Sequence, residues 1–204
     1  WSFSTDTDES FFPYRPTRSY PTDGFVQPYG DSPVDQYNVG ENVYMQIISN
    51  ARRYVWITPP YLILDNEMLT SLRIASHSGI DVRIVTPHYP DKKYVHPVSQ
   101  SYYRTLVDAG IRVYEYTPGF IHAKMFVSDD DIAVVGTTNM DYRSFFLHFE
   151  CGVIFYGSSV VGKVRQDIEQ TFELCDEVTG TQLRKVPLRK RVMQRILRLF
   201  APVM

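Results

Sequence analysis

The 204-residue sequence has little cysteine, no long apolar run and no overall excess of positive charge. Its two cysteines, Cys151 and Cys175, form no Cys-x-x-Cys pair and no metal-binding spacing, so they argue against a disulfide scaffold and suit a reducing compartment. No stretch approaches the roughly 18 consecutive apolar residues that mark a transmembrane helix. The polar residues that follow Trp1 do not form a signal peptide. The chain is nevertheless 44% hydrophobic, enough to bury a sizeable core.

The formal net charge of −2 disfavours a generic nucleic-acid binder, but it hides an asymmetry along the chain. From Arg184 to Arg198 there are seven basic residues and no acidic ones, which leaves about −9 for the rest of the chain. On a helical wheel, the apolar residues of this tail share an arc of about 160°: Val192, Met193, Ile196, Leu197, Leu199 and Phe200. The pattern predicts a basic amphipathic helix on an anionic bilayer. The alternative is a helix whose apolar face packs on the protein.

We expect three parts along the chain. Residues 1–38 are rich in Pro, Tyr, Asp and Gly without a sustained period, which predicts an extended leader that wraps the domain or links it to a missing upstream part. Residues 39–183 carry regular hydrophobic patterns and form the main domain, and residues 184–204 form the basic amphipathic helix. A chain that starts at Trp1 rather than Met is expected to be a piece of a longer protein.

Hydrophobic periodicity in the main domain predicts an α/β fold with a largely parallel or mixed sheet. Helices are expected near residues 41–52, 66–77 and 98–108, and strands near 54–58, 82–86 and 113–116. Two strands close together, 123–127 and 132–135, predict a hairpin, and a further strand spans about 149–156. The last helix, capped by Ser158 or Ser159, carries a stripe of residues that we expect to face the core: Val161, Val164, Ile168, Phe172 and Cys175.

The hairpin carries the residues best suited to chemistry. His122 and Lys124 are two apart on a predicted strand, so their side chains point to the same face. If the loop spans 128–131, His122 lies opposite Thr137, and Asn139 extends just beyond that open end. An imidazole, a fixed cation, a hydroxyl and a carboxamide at one spot suit an anionic phosphoryl group. The alternative is a solvated strand end.

The spacing of these residues resembles a known signature. His122-x-Lys124-x4-Asp129-x6-Gly136-Thr137-x-Asn139 resembles the HxKxxxxD motif of the phospholipase D superfamily, with its following Gly and Asn element. Residues 54–66, 79–87 and 110–122 are similar to the second half of bacterial cardiolipin synthases, and the resemblance covers roughly residues 38–175. It implies a phospholipase D-like mixed β-sheet flanked by helices, one half of a pseudo-twofold pair.

This resemblance also implies a reaction. Such enzymes pair two copies of the motif, one in each half of the full-length chain. One histidine attacks a phosphodiester to give a phosphohistidine, and the other protonates the leaving alcohol and then deprotonates the incoming one. In the cardiolipin synthases, two phosphatidylglycerol molecules give cardiolipin and glycerol, without a metal or another cofactor. The expected location is the cell membrane, with the catalytic domain on its cytoplasmic face and the first motif upstream of this chain.

The resemblance assigns roles residue by residue. His122 is one of the two histidines; the order of motifs in the family favours the acid/base role, and the nucleophile role stays open. Lys124 and Asn139 hold phosphate oxygens, and Thr137 stands where the family often has Ser or Gly. Glu150 matches a downstream acid that orients the imidazole through its second nitrogen. Two further motif residues, Asp129 in the turn and Gly136, are expected to be structural.

Two other readings stay open. The chain could be a different phosphodiesterase of the superfamily, a nuclease or phospholipase that works as a homodimer, although its acidic body disfavours nucleic acid as a partner. It could also be a non-catalytic half that only binds lipid. Among weaker candidates, Tyr61 either lines the entrance to the site or is a packed turn aromatic, and His148 either approaches the site or is structural. His88 is expected in a solvated loop, and Cys151 in the core.

Overall fold

The computed structural model describes residues 17–92 and 94–201. Within these residues, one eight-stranded sheet has the strand order β1-β7-β6-β5-β2-β3-β4-β8 and is accompanied by seven helices. The sheet is mixed, in agreement with the predicted α/β fold. The elements are β1 (Phe25–Asp31), α1 (Val39–Asn50), β2 (Tyr54–Ile57), α2 (Asn66–His77), β3 (Asp81–Pro87), α3 (Val95–Asp108), β4 (Arg112–Tyr116), β5 (Met125–Ser128), β6 (Ile132–Gly136), α4 (Tyr142–Phe146), β7 (Glu150–Tyr156), α5 (Ser159–Phe172), β8 (Cys175–Glu177), α6 (Gly180–Lys185) and α7 (Leu188–Arg198).

The parallel part of the sheet is made by β2, β3 and β4, which are linked through α2 and α3. All four side chains of β2 are buried, as expected for a strand covered on both faces. Helix α2 has its predicted bounds because its ends carry clear signals. The Asp65 side chain accepts a hydrogen bond from the Met68 N–H at the start of the helix, and Gly79 adopts φ +88° just after its end. Helix α3 begins at Val95, three residues earlier than predicted.

Apolar side chains fill both faces of the sheet. Helices α1, α2 and α3 contribute to the larger cluster on one face, and α5 packs Val161, Val164 and Ile168 against a second cluster that includes Trp56. The predicted core-facing stripe of α5 is therefore confirmed for these three residues, and its Ser158 cap is confirmed by a hydrogen bond from the Val160 N–H. Cys175, the last member of the predicted stripe, belongs to β8 instead, because the helix ends at Phe172.

Part of the predicted leader is a strand of the sheet. The strand β1 pairs antiparallel with β7 along its whole length, and the buried Asp31 carboxylate at its end accepts the N–H groups of Val39 and Gly40 at the start of α1. These contacts make residues from Phe25 onward part of the folded domain, so the domain begins before the predicted boundary at residue 39. Residues 1–16 of the leader lie outside the described residues.

The β5–β6 hairpin has a register one residue away from the predicted one. Ser128 pairs with Ile132 and Val127 with Ala133, whereas the sequence prediction placed Val127 opposite Ile132. The reason is the turn: Asp129 and Asp130 adopt φ values of +57° and +65°, and the Asp131 N–H donates to the Ser128 carbonyl at 3.1 Å. Two successive left-handed residues make a tight turn whose twist matches the flanking strands.

The tail forms two helices rather than one. Helix α6 is capped by Thr179, whose side chain makes a reciprocal capping box with Gln182, and Pro187 lies between α6 and α7. Helix α7 packs on α3 through its polar side: Gln194 is 7% exposed, and the Arg198 guanidinium lies 3.9 Å from the centre of the Tyr102 ring. Residues 202–204 lie outside the described residues.

The apolar side of α7 faces solvent for most of its predicted arc. Leu197 packs against the main core, but the other members of the arc are between 45% and 79% exposed: Val192, Met193, Ile196, Leu199 and Phe200. This exposure contradicts the alternative prediction, in which the apolar face of the helix packs on the protein. In the part of the chain that the structure describes, no helix is long and apolar enough to cross a membrane.

Candidate active site

The candidate site lies at the open end of the β5–β6 hairpin. The Gly136 N–H donates to the Lys124 carbonyl at 3.2 Å, which continues the pairing one residue beyond β5. Strand β5 itself begins only at Met125, so His122 and Lys124 lie in the segment that leads into it, not on the strand as predicted. Lys124 nevertheless lies next to the end of β6. With the observed register, Lys124 is opposite Gly136, one residue before Thr137.

Gly136 is needed for the close approach of β6 and β7 beside the site. A Cβ atom added at this position would lie 2.6 Å from the Cys151 carbonyl oxygen and 2.8 Å from the Cα of Gly152. Both are backbone atoms, and neither can turn away as a flexible side chain could. The structure therefore gives Gly136 a steric role, in line with the structural role expected from the motif.

Thr137 and Glu150 are held together next to the end of β6. The Thr137 hydroxyl donates to the Glu150 carboxylate in a short hydrogen bond, and the Thr137 N–H donates to the Cys151 carbonyl at 2.9 Å. The same hydroxyl accepts the Cys151 N–H at 3.0 Å. Thr137 is thus fixed by β7, with its side chain at the exposed surface of the site.

Among the described residues, no hydrogen bond or ion pair joins Glu150 to the His122 ring, which is the partner expected from the resemblance. Its carboxylate binds Thr137 and lies 3.7 Å from the Nδ1 atom of His148. The Arg143 guanidinium donates to Nε2 of His148 at 2.7 Å, so this nitrogen accepts and the proton of a neutral ring sits on Nδ1, facing Glu150. The structure therefore places His148 next to Glu150.

Lys124 supplies a positive charge without a carboxylate bound to it. Its ammonium group donates to the His122 carbonyl at 2.8 Å, and none of the ion pairs among residues 17–92 and 94–201 includes it. Burial lowers the pKa of Lys124, while the nearby charges of Glu150 and Asp141 act in the opposite direction. A half-buried ammonium of this kind is suited to an anionic ligand.

The His122 ring lies among aromatic side chains. Its centre is 5.5 Å from that of Phe120 and 6.2 Å from that of Tyr61, and the histidine keeps solvent-exposed surface. Partial burial lowers the pKa of His122, and the charges of Lys124 and Lys92 lower it further, against an opposing effect of Asp91. The imidazole is therefore neutral near pH 7, the form in which it can attack or accept a proton.

Asn139 is positioned by the start of α4. Asp141 caps this helix by accepting the Ser144 N–H at 2.7 Å, and the neighbouring Met140 carbonyl accepts the Ile63 N–H at 2.8 Å. These bonds join the segment after β6 to the chain that follows Tyr61. The Oδ1 atom of Asn139 is buried and has no hydrogen-bond partner among the described residues, so this amide group has unused bonding capacity.

Asp129 lies at the opposite end of the hairpin. Its carboxylate accepts three backbone N–H groups at the start of β2: those of Arg52 at 2.7 Å, Arg53 at 2.9 Å and Tyr54 at 3.0 Å. Burial would raise the pKa of Asp129, but these hydrogen bonds outweigh it and lower the pKa. The turn is thereby fixed to β2, which agrees with the structural role expected from the sequence.

Two residues beside Tyr61 were not predicted from the sequence. Asp91 accepts a short hydrogen bond from the Tyr61 hydroxyl, and the Lys92 ammonium lies 5.3 Å from the centre of the Tyr61 ring. Both belong to a polar loop without periodicity, so the sequence carries no signal for their placement. Tyr61 itself lies beside His122, as one of its two readings expected.

Two weaker expectations have different outcomes. Cys151, at the second position of β7, is exposed and does not lie in the core as predicted. His88, expected in a solvated loop, is exposed and lies 2.8 Å from the Glu115 carboxylate. Within the described ranges there is no group of three or more His, Cys, Asp or Glu side chains that could hold a metal ion.

Comparisons with solved structures identify the fold. The structure superposes on Nuc of Salmonella typhimurium, a phospholipase D family member, with a TM-score of 0.62 over 76% of this chain and 99% of that one, at 15% identity. It superposes on the phosphatidylserine synthase of Haemophilus influenzae with a TM-score of 0.63 over 87% of this chain and 45% of that one, also at 15% identity. Together with the motif at the hairpin, this fold defines a member of the phospholipase D superfamily.

Sequence relatives narrow the assignment. A family model described as the phospholipase D-like domain of cardiolipin synthase matches residues 44–173, and the chain belongs to this family. The chain is 42% identical to an uncharacterized protein of Streptococcus mutans, of which it covers 44%. It is 38% identical over 181 residues to cardiolipin synthase 2 of Bacillus cereus, of which it covers 35%. The chain therefore spans less than half the length of these curated relatives.

Proposed function

We propose that this chain is the C-terminal catalytic half of a cardiolipin synthase, which transfers a phosphatidyl group between two phosphatidylglycerol molecules and releases glycerol. The observation that carries the proposal is the Lys124 ammonium at the open end of the hairpin. It donates to the His122 carbonyl, makes no ion pair among the described residues, and belongs to a residue paired with Gly136, next to Thr137. Family membership and relatives named cardiolipin synthase support the choice of reaction.

The reaction needs two histidines. One imidazole nitrogen attacks the phosphorus of the donor lipid, a P–N bond forms, and the P–O bond to the glycerol headgroup breaks. The second histidine gives a proton to the leaving glycerol oxygen. It then takes a proton from a hydroxyl of the acceptor phosphatidylglycerol, whose oxygen attacks the phosphorus and breaks the P–N bond. Atoms and charge balance without a further reactant.

We assign His122 the acid/base role. Its lowered pKa suits the second step, in which the neutral ring accepts a proton from the acceptor hydroxyl. The first step needs the protonated ring, which the negative charge of the bound phosphate favours. The Lys124 ammonium and the Asn139 amide would hold non-bridging phosphate oxygens, with Thr137 at the edge of the same site. Glu150 would act through Thr137 and His148, which it contacts, and not through the His122 ring.

The second histidine must come from another domain. We propose the first-half catalytic domain of the same full-length chain, because the relatives named cardiolipin synthase are more than twice as long as the matched part. The alternative is a homodimer that pairs two copies of His122. It is favoured by the likeness to Nuc, a chain that the match covers almost completely. The molecular mass in solution distinguishes the two arrangements.

We further propose that residues 187–204 contact the membrane surface, with the catalytic domain on the cytoplasmic face of the cell membrane. In α7 the exposed apolar side chains lie next to basic ones, and there is no acidic residue from Arg184 to Arg198. Each Lys or Arg near an anionic surface contributes roughly 1 kcal/mol. Gln194 and Arg198 face the protein, whereas Arg189, Lys190, Arg195 and most of the apolar side chains are exposed and free to meet a bilayer.

A double variant tests this surface without removing the contacts of α7 with α3. Val192→Gln combined with Ile196→Gln changes two side chains that are 47% and 52% exposed. We expect weaker co-sedimentation with phosphatidylglycerol vesicles than for the unmutated protein. Ile74→Gln is the control, since this exposed residue lies on α2 and is 62% exposed. Equal co-sedimentation of the double variant and the control would refute membrane contact through α7.

The central test uses the longest natural polypeptide that contains this chain. Incubated with labelled phosphatidylglycerol vesicles, it should produce cardiolipin and glycerol. His122→Ala should lower turnover by roughly 10²–10⁴-fold, whereas His77→Ala, at the exposed end of α2, should not. Cleavage of a nucleic-acid substrate without cardiolipin formation would favour the homodimeric nuclease. Lipid binding without any turnover would favour a non-catalytic half.

A further inference from the structure

The loop after β3 brings a second lysine near the site. The Lys92 ammonium lies 5.3 Å from the centre of the Tyr61 ring. At this distance the π-electrons of the ring attract the positive charge. The ring of Tyr61 in turn lies 6.2 Å from that of His122. Lys92 and the His122 ring are therefore less than about 12 Å apart, and both are close to the same aromatic ring.

The loop is held in this position by Asp91. Its carboxylate accepts the Tyr61 hydroxyl and also the Lys92 N–H at 2.6 Å. Burial raises the pKa of Tyr61, and the nearby Asp91 charge raises it further, so the phenol keeps the proton that it donates. Asp91 is thus occupied by Tyr61 and by the loop backbone.

Lys92 has no carboxylate partner of its own. The ion pairs found in the described residues include neither Lys92 nor Lys124. Both ammonium groups lower the pKa of His122, Lys124 more than Lys92, and the Asp91 carboxylate acts in the opposite direction. Two ammonium groups that make no ion pair among the described residues therefore lie near the imidazole.

Two phosphates must meet at this imidazole if the proposed function holds. The donor phosphate is transferred, while the acceptor phosphatidylglycerol carries an intact phosphate one glycerol unit away from its attacking hydroxyl. Bringing two anionic groups together without a cation for each would be opposed by their repulsion. Lys124 serves the first phosphate. We propose that Lys92, placed by Tyr61 and Asp91, binds the intact phosphate of the acceptor lipid and so favours phosphatidylglycerol over water or a neutral alcohol as acceptor.

The test compares acceptors within one reaction. Labelled phosphatidylglycerol vesicles are supplied with excess ethanol, and the products are cardiolipin, phosphatidylethanol and phosphatidic acid. For Lys92→Gln we expect cardiolipin formation to fall about tenfold or more, through a higher KM for the acceptor lipid, since a charge-assisted contact is lost. Phosphatidylethanol and phosphatidic acid should be unchanged or should rise. Lys92→Arg should restore most of the cardiolipin.

The controls separate this subsite from a general effect of charge. Lys163→Gln removes an exposed cation from α5, and all three products should stay unchanged. An equal fall of cardiolipin and phosphatidylethanol in Lys92→Gln would place Lys92 with the donor or with His122 and overturn the proposal. An unchanged product ratio would also overturn it. Absence of cardiolipin from the unmutated protein would instead refute the proposed function, and the acceptor subsite with it.

Discussion

Replacing Asp129 with alanine should destabilise the domain and leave the chemistry at His122 intact. Asp129 belongs to the same sequence motif as His122, but it lies at the turn of the hairpin, where its carboxylate accepts the N–H groups of Arg52, Arg53 and Tyr54. It also adopts φ +57°, a conformation that Asp and Asn tolerate better than alanine. The substitution removes the carboxylate that accepts these three hydrogen bonds, and it places alanine in a left-handed backbone conformation that alanine disfavours.

The expected loss follows from these contacts. Each hydrogen bond contributes about 0.5–1.5 kcal/mol, and alanine in the left-handed region costs roughly 1 kcal/mol more. Water can replace part of the lost bonding at this partly exposed turn, so we expect a total of about 3 kcal/mol. For a domain of this size, that loss corresponds to a fall in Tm of roughly 6–12 °C. Asp129→Asn keeps the backbone preference and one acceptor oxygen, and it should lose about half as much.

Thermal unfolding and activity per folded molecule measure the two effects separately. The matched control is Asp131→Ala in the same turn, because the Asp131 carboxylate has no hydrogen-bond partner within the described ranges. The difference between Asp129→Ala and wild type should shrink as the pH falls below about 4, since the lowered pKa makes the Asp129 contribution present above that range and lost on protonation. The reasoning would be refuted if Asp129→Ala and Asp131→Ala had the same Tm. It would also be refuted if activity well below Tm fell as it does in His122→Ala.

Three further predictions concern other parts of the structure. Gly136→Ala should destabilise the domain by roughly 2–4 kcal/mol in denaturant unfolding, because its Cβ would overlap backbone atoms of β7; an unchanged midpoint would contradict the close approach. Burial, together with the neighbouring Asp65, raises the pKa of Glu41 to about 8, so stability should fall as the pH rises from about 5 to 8, with a slope of at most about 1.4 kcal/mol per pH unit. Glu41→Gln should flatten this dependence in calorimetric scans, and a parallel curve would exclude Glu41 as its source. Thr137→Val should lower turnover about tenfold or more through loss of its hydroxyl bonds, Thr137→Ser should keep most of it, and equal turnover of the two variants would remove the hydroxyl from the site.

The local signals of the sequence were sufficient for most elements. Helix α2 has its predicted bounds because Asp65 caps its start and Gly79 follows its end, and both effects act over a few residues. The α5 stripe and its Ser158 cap follow from the same kind of local pattern. Signals of this kind depend on residues that are close together in the chain, so they can be predicted from the sequence alone.

The arrangement of the site depended on contacts that local patterns do not contain. The observed hairpin register differs from the predicted one by one residue, because Asp129 and Asp130 both adopt left-handed conformations. Glu150 is bonded to Thr137 because β7 pairs with β6. The sequence prediction had paired Glu150 with the His122 ring instead. Each outcome is decided by strand pairing between distant segments, where a shift of one residue turns every side chain to the other face.

The sequence by itself determined the motif, the α/β pattern and the basic amphipathic character of the tail, since these depend on residue type and spacing. Only the tertiary structure decided which groups surround the imidazole and which side of α7 meets solvent. Lys92 lies beside Tyr61 because Asp91 bonds to the Tyr61 hydroxyl, and most of the apolar side of α7 is exposed because Gln194 and Arg198 face the protein instead. Both depend on packing between segments far apart in the chain, which no local pattern of residues encodes.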